Sequence, residues 1–216
     1  MNRRTFLCKT LTFLAAAYVS DAWRCFSAEA ASPAPLQCPK IKETYLKFVL
    51  PLQNRLQTDL IVLHHIGDSN EDFSAADVHQ WHINNGWAGI GYHFVIRKNG
   101  VIERGRPLDT VGAHCYGYNE HSVGINVVGN FEMAFPTEAQ LDSAVQLTAY
   151  LCQLYRIDPF ADGVVLGHRD LNATLCPGKN FYAELDAFRQ RVRSNFSRTL
   201  VRRAPSSRRH RLPDVH

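Results

Sequence analysis

DLIVLHH (59–65) is an unbroken apolar run with branched side chains that ends in two histidines, a pattern that predicts a central strand buried on both faces. After it, SAADVHQWHINN (74–85) predicts a helix, with Ser74 and Asp77 spaced as a capping box in which the shorter acid stands for Glu. In GYHFVIRKNGVIERG (91–105), Tyr92, Phe94 and Ile96 alternate with polar partners up to Asn99-Gly100, and Val101 and Ile102 follow. That order predicts a hairpin closed by a type I′ turn. SVGINVVGN (122–130) predicts another strand. TEAQLDSAVQLTAYLCQLY (137–155) has apolar residues at 141, 144, 145, 147, 151 and 154 behind a Thr137 and Gln140 capping box, which predicts a long helix. VVLGH (164–168) reads as a short last strand, and FYAELDAFRQRV (181–192) as a closing helix with Leu185 and Phe188 on one face. There is no internal repeat. Strands interleaved with helices, some joined as a hairpin, indicate an α/β fold with a mixed central β-sheet flanked by helices, over residues 59–195.

The ends differ from this body. Of 216 residues, 45% are apolar and 20% charged, which suits one ordinary domain with appendages. Residues 1–30 hold four basic side chains against two acidic ones, and residues 198–216 hold six arginines against Asp214. With a total of +4, the body from 31 to 197 is therefore acidic, at −3. A basic footprint confined to the tails argues against a nucleic-acid-binding domain. The segment from Arg3-Arg4-Thr5-Phe6-Leu7 through a short apolar stretch to Ala28-Glu29-Ala30 reads as a signal peptide of twin-arginine type, and predicts a periplasmic or otherwise exported bacterial protein. Its uncharged apolar run, Thr10 to Ser20, is about half of what a membrane span needs, so no integral membrane segment is expected. Residues 31–58 read as a linker and N-terminal extension, and 196–216 as a basic disordered tail that is either a solvated extension or a tether to anionic polymer. Export would leave Cys38, Cys115, Cys152 and Cys176 where disulfides persist; with one of them on a metal, at most one bridge remains.

Two strand ends carry potential metal ligands. VLHHIGD presents His64 and His65, and LGHRDLNATLCPG presents His168 and, eight positions on, Cys176. Imidazole and thiolate are the donors zinc prefers, and three protein ligands with one open position is its catalytic arrangement. Pro177-Gly178 makes the cysteine loop first stiff and then permissive. His79, His82, His121, His210 and His216 are given no role.

LIVLHH, NGWAGIGYHFVIRKNG, GAHCYGYNEHSVGINVVGNF and GHRDLNATLCPG, in this order and spacing, resemble the zinc-dependent N-acetylmuramoyl-L-alanine amidase family shared with peptidoglycan recognition proteins and the phage amidase called a lysozyme. The resemblance spans about residues 59–195 and implies the amidase and recognition-protein fold as a single domain. It implies Zn2+ held by His64, His168 and Cys176, with Tyr92 and Thr174 as catalytic residues. His65 and His93 adjoin the site without matching a ligand position and are expected to support it. Recycling amidases of the same superfamily have aspartate as third ligand and glutamate in the strand that corresponds to SVGINVVG; Cys176 and Asn126 stand here instead, so no carboxylate base is available at 126. Asn126 and Trp87 are expected to meet substrate. Gly86-Trp87 resembles the pair that recognition proteins associate with meso-diaminopimelate stems, although Trp87 reads equally as a core aromatic.

The implied reaction is hydrolysis of the amide between N-acetylmuramic acid and L-alanine of peptidoglycan or its fragments. Zinc activates water and polarises a carbonyl. The Tyr92 and Thr174 hydroxyls are neutral donors suited to an oxyanion, or Tyr92 orients the water. A peptidoglycan-binding receptor without chemistry, or a zinc hydrolase of another exported amide, are the alternatives. A monomer is expected.

Overall fold

The computed structural model describes residues 36–201, apart from the side chains of 198–201. The signal segment expected at 1–30, with Cys8 and Cys25, and the tail beyond 201 lie outside the described residues. In chain order the elements are β1 (Ile41–Lys42), β2 (Leu60–His65), α1 (Ala75–Asn84), β3 (Phe94–Ile96), β4 (Ile102–Arg104), β5 (Ser122–Val127), α2 (Glu138–Tyr155), β6 (Val165–Gly167), α3 (Lys179–Ala183) and α4 (Leu185–Val201), with single 3₁₀ turns at Asn119–His121 and His168–Asp170. The six strands form one mixed sheet in the order β1-β4-β3-β5-β2-β6, in which only β3 and β4 run antiparallel. The mixed sheet flanked by helices is as the hydrophobic pattern predicts. No helix among the described residues is long and apolar enough to cross a membrane.

Strand alternation divides the molecule into two faces. Ile61, Leu63, Val123, Ile125, Val127, Phe94 and Ile96 pack with Ala144, Leu147 and Leu151 of α2 and Phe188 and Val192 of α4 in one core. On the opposite face a smaller cluster joins Val95 to Ala75 and Val78 of α1, Ile90 and Val128. Each fully buried Leu, Ile or Phe contributes about 1.5–3 kcal/mol relative to exposure, so the larger core dominates stability. Both predicted capping boxes form: Ser74 Oγ accepts from Asp77 N–H, and Thr137 Oγ1 accepts from Gln140 N–H. The α1 N-terminus also rests on Glu103, whose buried carboxylate accepts from Ala75 N–H at 2.7 Å, where the helix dipole favours negative charge.

Several elements depart from the sequence reading. Residues 36–58 are built into the fold: β1 pairs with β4, Asn54 bridges to Thr110, and Leu36 packs on the main core. Arg55 from this segment is buried, and donates to the carbonyls of Thr110 (3.2 Å) and Ser122 (3.0 Å). These contacts arise from distant chain, so local composition does not reveal them. The hairpin turn is not type I′. Gly100 N–H bonds to Arg97 O and Arg97 N–H to Val101 O, with positive φ at Gly100 alone, which is the signature of a type I turn with a glycine bulge. Asn-Gly serves either turn, because only the glycine must take positive φ here. Leu154 is exposed, while Thr148 and Cys152 take places in the buried face of α2. The closing helix is broken at Glu184, so that Phe181 meets Phe131 and Phe188 edge to face (centroids 5.6 and 6.0 Å) while Leu185 also enters the core. Finally, α4 runs through the position expected to open the tail: Phe196 continues the apolar spacing of Leu185, Phe188 and Val192 and packs on the core.

Candidate metal centre

The site is assembled by strand register. Parallel pairing sets Leu63 beside Gly167 and His64 beside Asn126. The residue after Gly167 is His168, at the start of its 3₁₀ turn, so the end of β6 arrives level with His64. Cys176 closes the following loop; its carbonyl accepts from Arg169 N–H (2.8 Å) and its own N–H donates to Thr174 Oγ1 (3.2 Å). Gly178 is required beyond it: φ is +89°, and a Cβ there would stand 2.5 Å from the Phe131 carbonyl carbon. One ligand atom from each of His64, His168 and Cys176 lies within 4.8 Å of the others. Nδ1 of His64 is 3.5 Å from Sγ of Cys176, and the sulfur also accepts the N–H of His65 at 3.4 Å.

Burial, followed by the neighbouring His168, holds His64 well below the usual imidazole range. His168 is also lowered by burial, against a hydrogen bond to Asn172 that favours its charged form. Burial pushes the Cys176 thiol up to about 12. Neutral imidazoles are ready ligands, whereas this thiol needs a cation beside it to ionise. Tyr92 lies 5.1 Å from His64, ring to ring, and burial pushes its hydroxyl far above 10. It therefore keeps its proton at neutral pH and is a hydrogen-bond donor, not a base.

A cleft of about 570 Å³ opens beside His168 and Tyr92, lined also by Trp87, Tyr116 and Thr174. Trp87 is 44% exposed and leans on His82 with ring centroids 4.6 Å apart, so it stands on the cleft wall and not in the core. Thr174 uses an oxygen lone pair to accept from Cys176, which leaves its proton free to donate into the cleft. Asn126 is fully buried beside Tyr92, and neither atom of its carboxamide has a normal hydrogen-bond partner among the described residues. Of the supporting histidines, His65 points to the other face, where Nδ1 accepts from Phe131 N–H and burial lowers it to about 4. His93 is fully buried and accepts from Gly124 N–H. Among the described residues Cys38, Cys115, Cys152 and Cys176 form no disulfide with one another. Two site residues escape the sequence reading, His114 against His64 and Asn172 against His168. The signal for His114 was Gly124, on the same face of β5 as Asn126: a Cβ there would stand 2.5 Å from the His114 ring.

This arrangement of a mixed sheet, a paired-histidine strand end and a returning cysteine loop has relatives. The chain belongs to the N-acetylmuramoyl-L-alanine amidase family, whose model matches residues 54–179. An endolysin of Klebsiella phage KP32 is 34% identical over 125 residues, which cover 57% of this chain and 82% of the endolysin. Among solved structures, the N-acetylmuramoyl-L-alanine amidase LysC from Clostridium intestinale URNW is 36% identical with a TM-score of 0.65, over 71% of this chain and 97% of LysC. A mutant of Drosophila PGRP-LB in complex with tracheal cytotoxin is 29% identical with a TM-score of 0.59, over 69% and 94% of the two chains. The fold is thus that of the amidases and peptidoglycan recognition proteins, and the chain is an enzyme of peptidoglycan amide hydrolysis.

Proposed function

We propose that the protein is a zinc-dependent, exported N-acetylmuramoyl-L-alanine amidase with His64, His168 and Cys176 as metal ligands. The observation that carries this is the separation of two donors. Bond lengths of about 2.05 Å for Zn–N and 2.3 Å for Zn–S at a tetrahedral angle give a ligand edge of about 3.6 Å, and His64 Nδ1 to Cys176 Sγ is 3.5 Å. Two nitrogens and one sulfur would give zinc three protein ligands, the number that in catalytic sites leaves a place for water or substrate. Zinc bound there supplies Lewis-acid activation of water and of the amide carbonyl.

The protein's own groups do the rest. The Tyr92 hydroxyl, held protonated, and the Thr174 hydroxyl, with its proton free, donate to the oxygen on which charge develops as the amide carbon becomes tetrahedral. Trp87 offers an aromatic wall to the substrate. Asn126 is buried beside Tyr92; as a neutral amide it can orient a polar neighbour and does not take protons. The paired arginines and small-residue site of the first thirty residues, and a substrate that forms the cell wall, support action outside the cytoplasm, in the periplasm.

The test uses the mature protein, with and without a chelator, on intact sacculi and on soluble muropeptides. Release of free stem peptides beginning with L-alanine, detected by mass spectrometry, abolished by chelation and restored by zinc, is the expected result. Binding without cleavage, or cleavage at another bond, contradicts the proposal.

A further inference from the structure

Each ligand histidine is engaged at its second nitrogen, and the hydrogen-bond chains fix where the protons lie. Nε2 of His64 is 3.0 Å from Nδ1 of His114. Nε2 of His114 is 3.4 Å from Ser122 Oγ, and that hydroxyl already donates to the Tyr118 carbonyl at 2.6 Å. A hydroxyl whose proton is committed can only accept from a further partner. His114 therefore carries its proton on Nε2, its Nδ1 accepts, and the proton between the two rings belongs to His64 Nε2. The lone pair of His64 is left on Nδ1, the nitrogen that faces Cys176.

The same reasoning applies to His168. Nδ2 of Asn172 donates to the Tyr116 carbonyl at 3.2 Å, which orients the amide so that its oxygen faces His168 Nε2 at 3.1 Å and the Cys115 thiol at 3.2 Å. An amide oxygen only accepts, so His168 also holds its proton on Nε2 and its lone pair on Nδ1.

Both chains end on one segment. We propose that the loop 113–119, which contributes no metal ligand, orients both ligand imidazoles: His114 holds His64 directly, and the Tyr116 carbonyl with the Cys115 thiol holds His168 through Asn172, so that each presents Nδ1 to the ion. This inference rests on the metal reading above. The loop is itself fixed, because Asn119 Oδ1 accepts from the N–H groups of His114 (2.8 Å) and Cys115 (3.0 Å). Gly124 makes the room for His114, which is 8% exposed. His114 and Asn172 are thus positioning residues, and loss of such a partner typically lowers metal affinity about 10–100-fold.

The experiment records long-range proton–nitrogen spectra of the zinc-loaded protein labelled with ¹⁵N-histidine. It is paired with zinc affinities by chelator competition for His114→Gln, His114→Leu and Asn172→Leu. Zinc on Nδ1 and a proton on Nε2 of both His64 and His168 is expected. The two leucine variants should bind zinc about 10–100-fold more weakly, while His114→Gln, whose amide oxygen can accept from His64 and whose nitrogen can donate to Ser122, retains most of the affinity. Ligation through Nε2 of either histidine, or leucine variants that are folded by circular dichroism and bind zinc as tightly as the parent, overturns the proposal. Should a leucine variant not fold, the spectra of the parent protein decide. Failure of the parent protein to take up zinc at all overturns the metal reading, and this inference with it.

Discussion

His64 and His65 are consecutive on one strand, and they belong to different halves of the molecule. His64 turns toward His114, His168, Tyr92 and Cys176, in a row of polar groups that continues through Asn126 on the neighbouring strand. His65 turns toward Phe131, on the side where Leu63 and Ile125 meet the helices α2 and α4. The two-residue period of a strand thus lets one sheet carry stability on one face and chemistry on the other. The polar face has its own cost, since buried imidazoles must stay neutral and find partners. The helix-packed face supplies the surplus stability that allows it.

If this division is real, substitutions on the two faces should produce separable effects. Cys176→Ser should abolish hydrolysis and zinc retention together while leaving the helical signal intact; activity in a verified zinc-free variant would break the comparison. Leu147→Ala, on the buried face of α2, should cost about 2–5 kcal/mol of stability by urea denaturation and leave zinc content at one per chain. Tyr92→Phe should do the reverse, with unchanged stability and zinc content but a barrier raised by about 2.7–4 kcal/mol, read as kcat. An unchanged kcat would remove Tyr92 from the mechanism.

Acid should weaken the molecule through the polar face. His93, lowered to about 3 by burial and then by the Arg55 charge, remains neutral in the folded protein, whereas its unfolded counterpart takes a proton near 6.5. The folded pKa is the lower one, so stability is complete above about pH 6.5 and declines as pH falls toward 3, by about 1.4 kcal/mol per pH unit for such a histidine. Denaturation midpoints at pH 7 and 5 should show the loss, and His93→Gln should reduce it by the share of one histidine, the other buried imidazoles keeping theirs. The smallest effect is expected on the cleft wall: Trp87→Ala should remove roughly 0.5–1.5 kcal/mol of aromatic contact, raising KM for muropeptide several-fold with zinc content unchanged.

What could be read from the sequence follows the same division. DLIVLHH, the two capping boxes and the α2 pattern are local signals, and each yields the element expected. His64, His168 and Cys176 could be nominated as ligands because their donor types match one ion, yet only parallel register places His168 level with His64. What was illegible depended on distant partners. A two-residue edge strand at Ile41–Lys42 and a buried arginine at 55 have no local signature, because composition predicts their exposure. His114 matters through His64, far away in the chain, and Asn172 through His168 one loop turn earlier, and no hydrophobic periodicity encodes either contact. The break at Glu184 reflects two aromatic contacts that a single straight helix could not make together.

X-ray absorption at the zinc edge of the purified, zinc-loaded protein tests the central claim most directly. One sulfur at about 2.3 Å and three nitrogen or oxygen neighbours at about 2.0–2.1 Å are predicted, and Cys176→Ser, which should retain no zinc, should give no protein-bound zinc signal. A zinc shell without sulfur, or one closed by four protein ligands, would contradict a hydrolytic centre built from His64, His168 and Cys176.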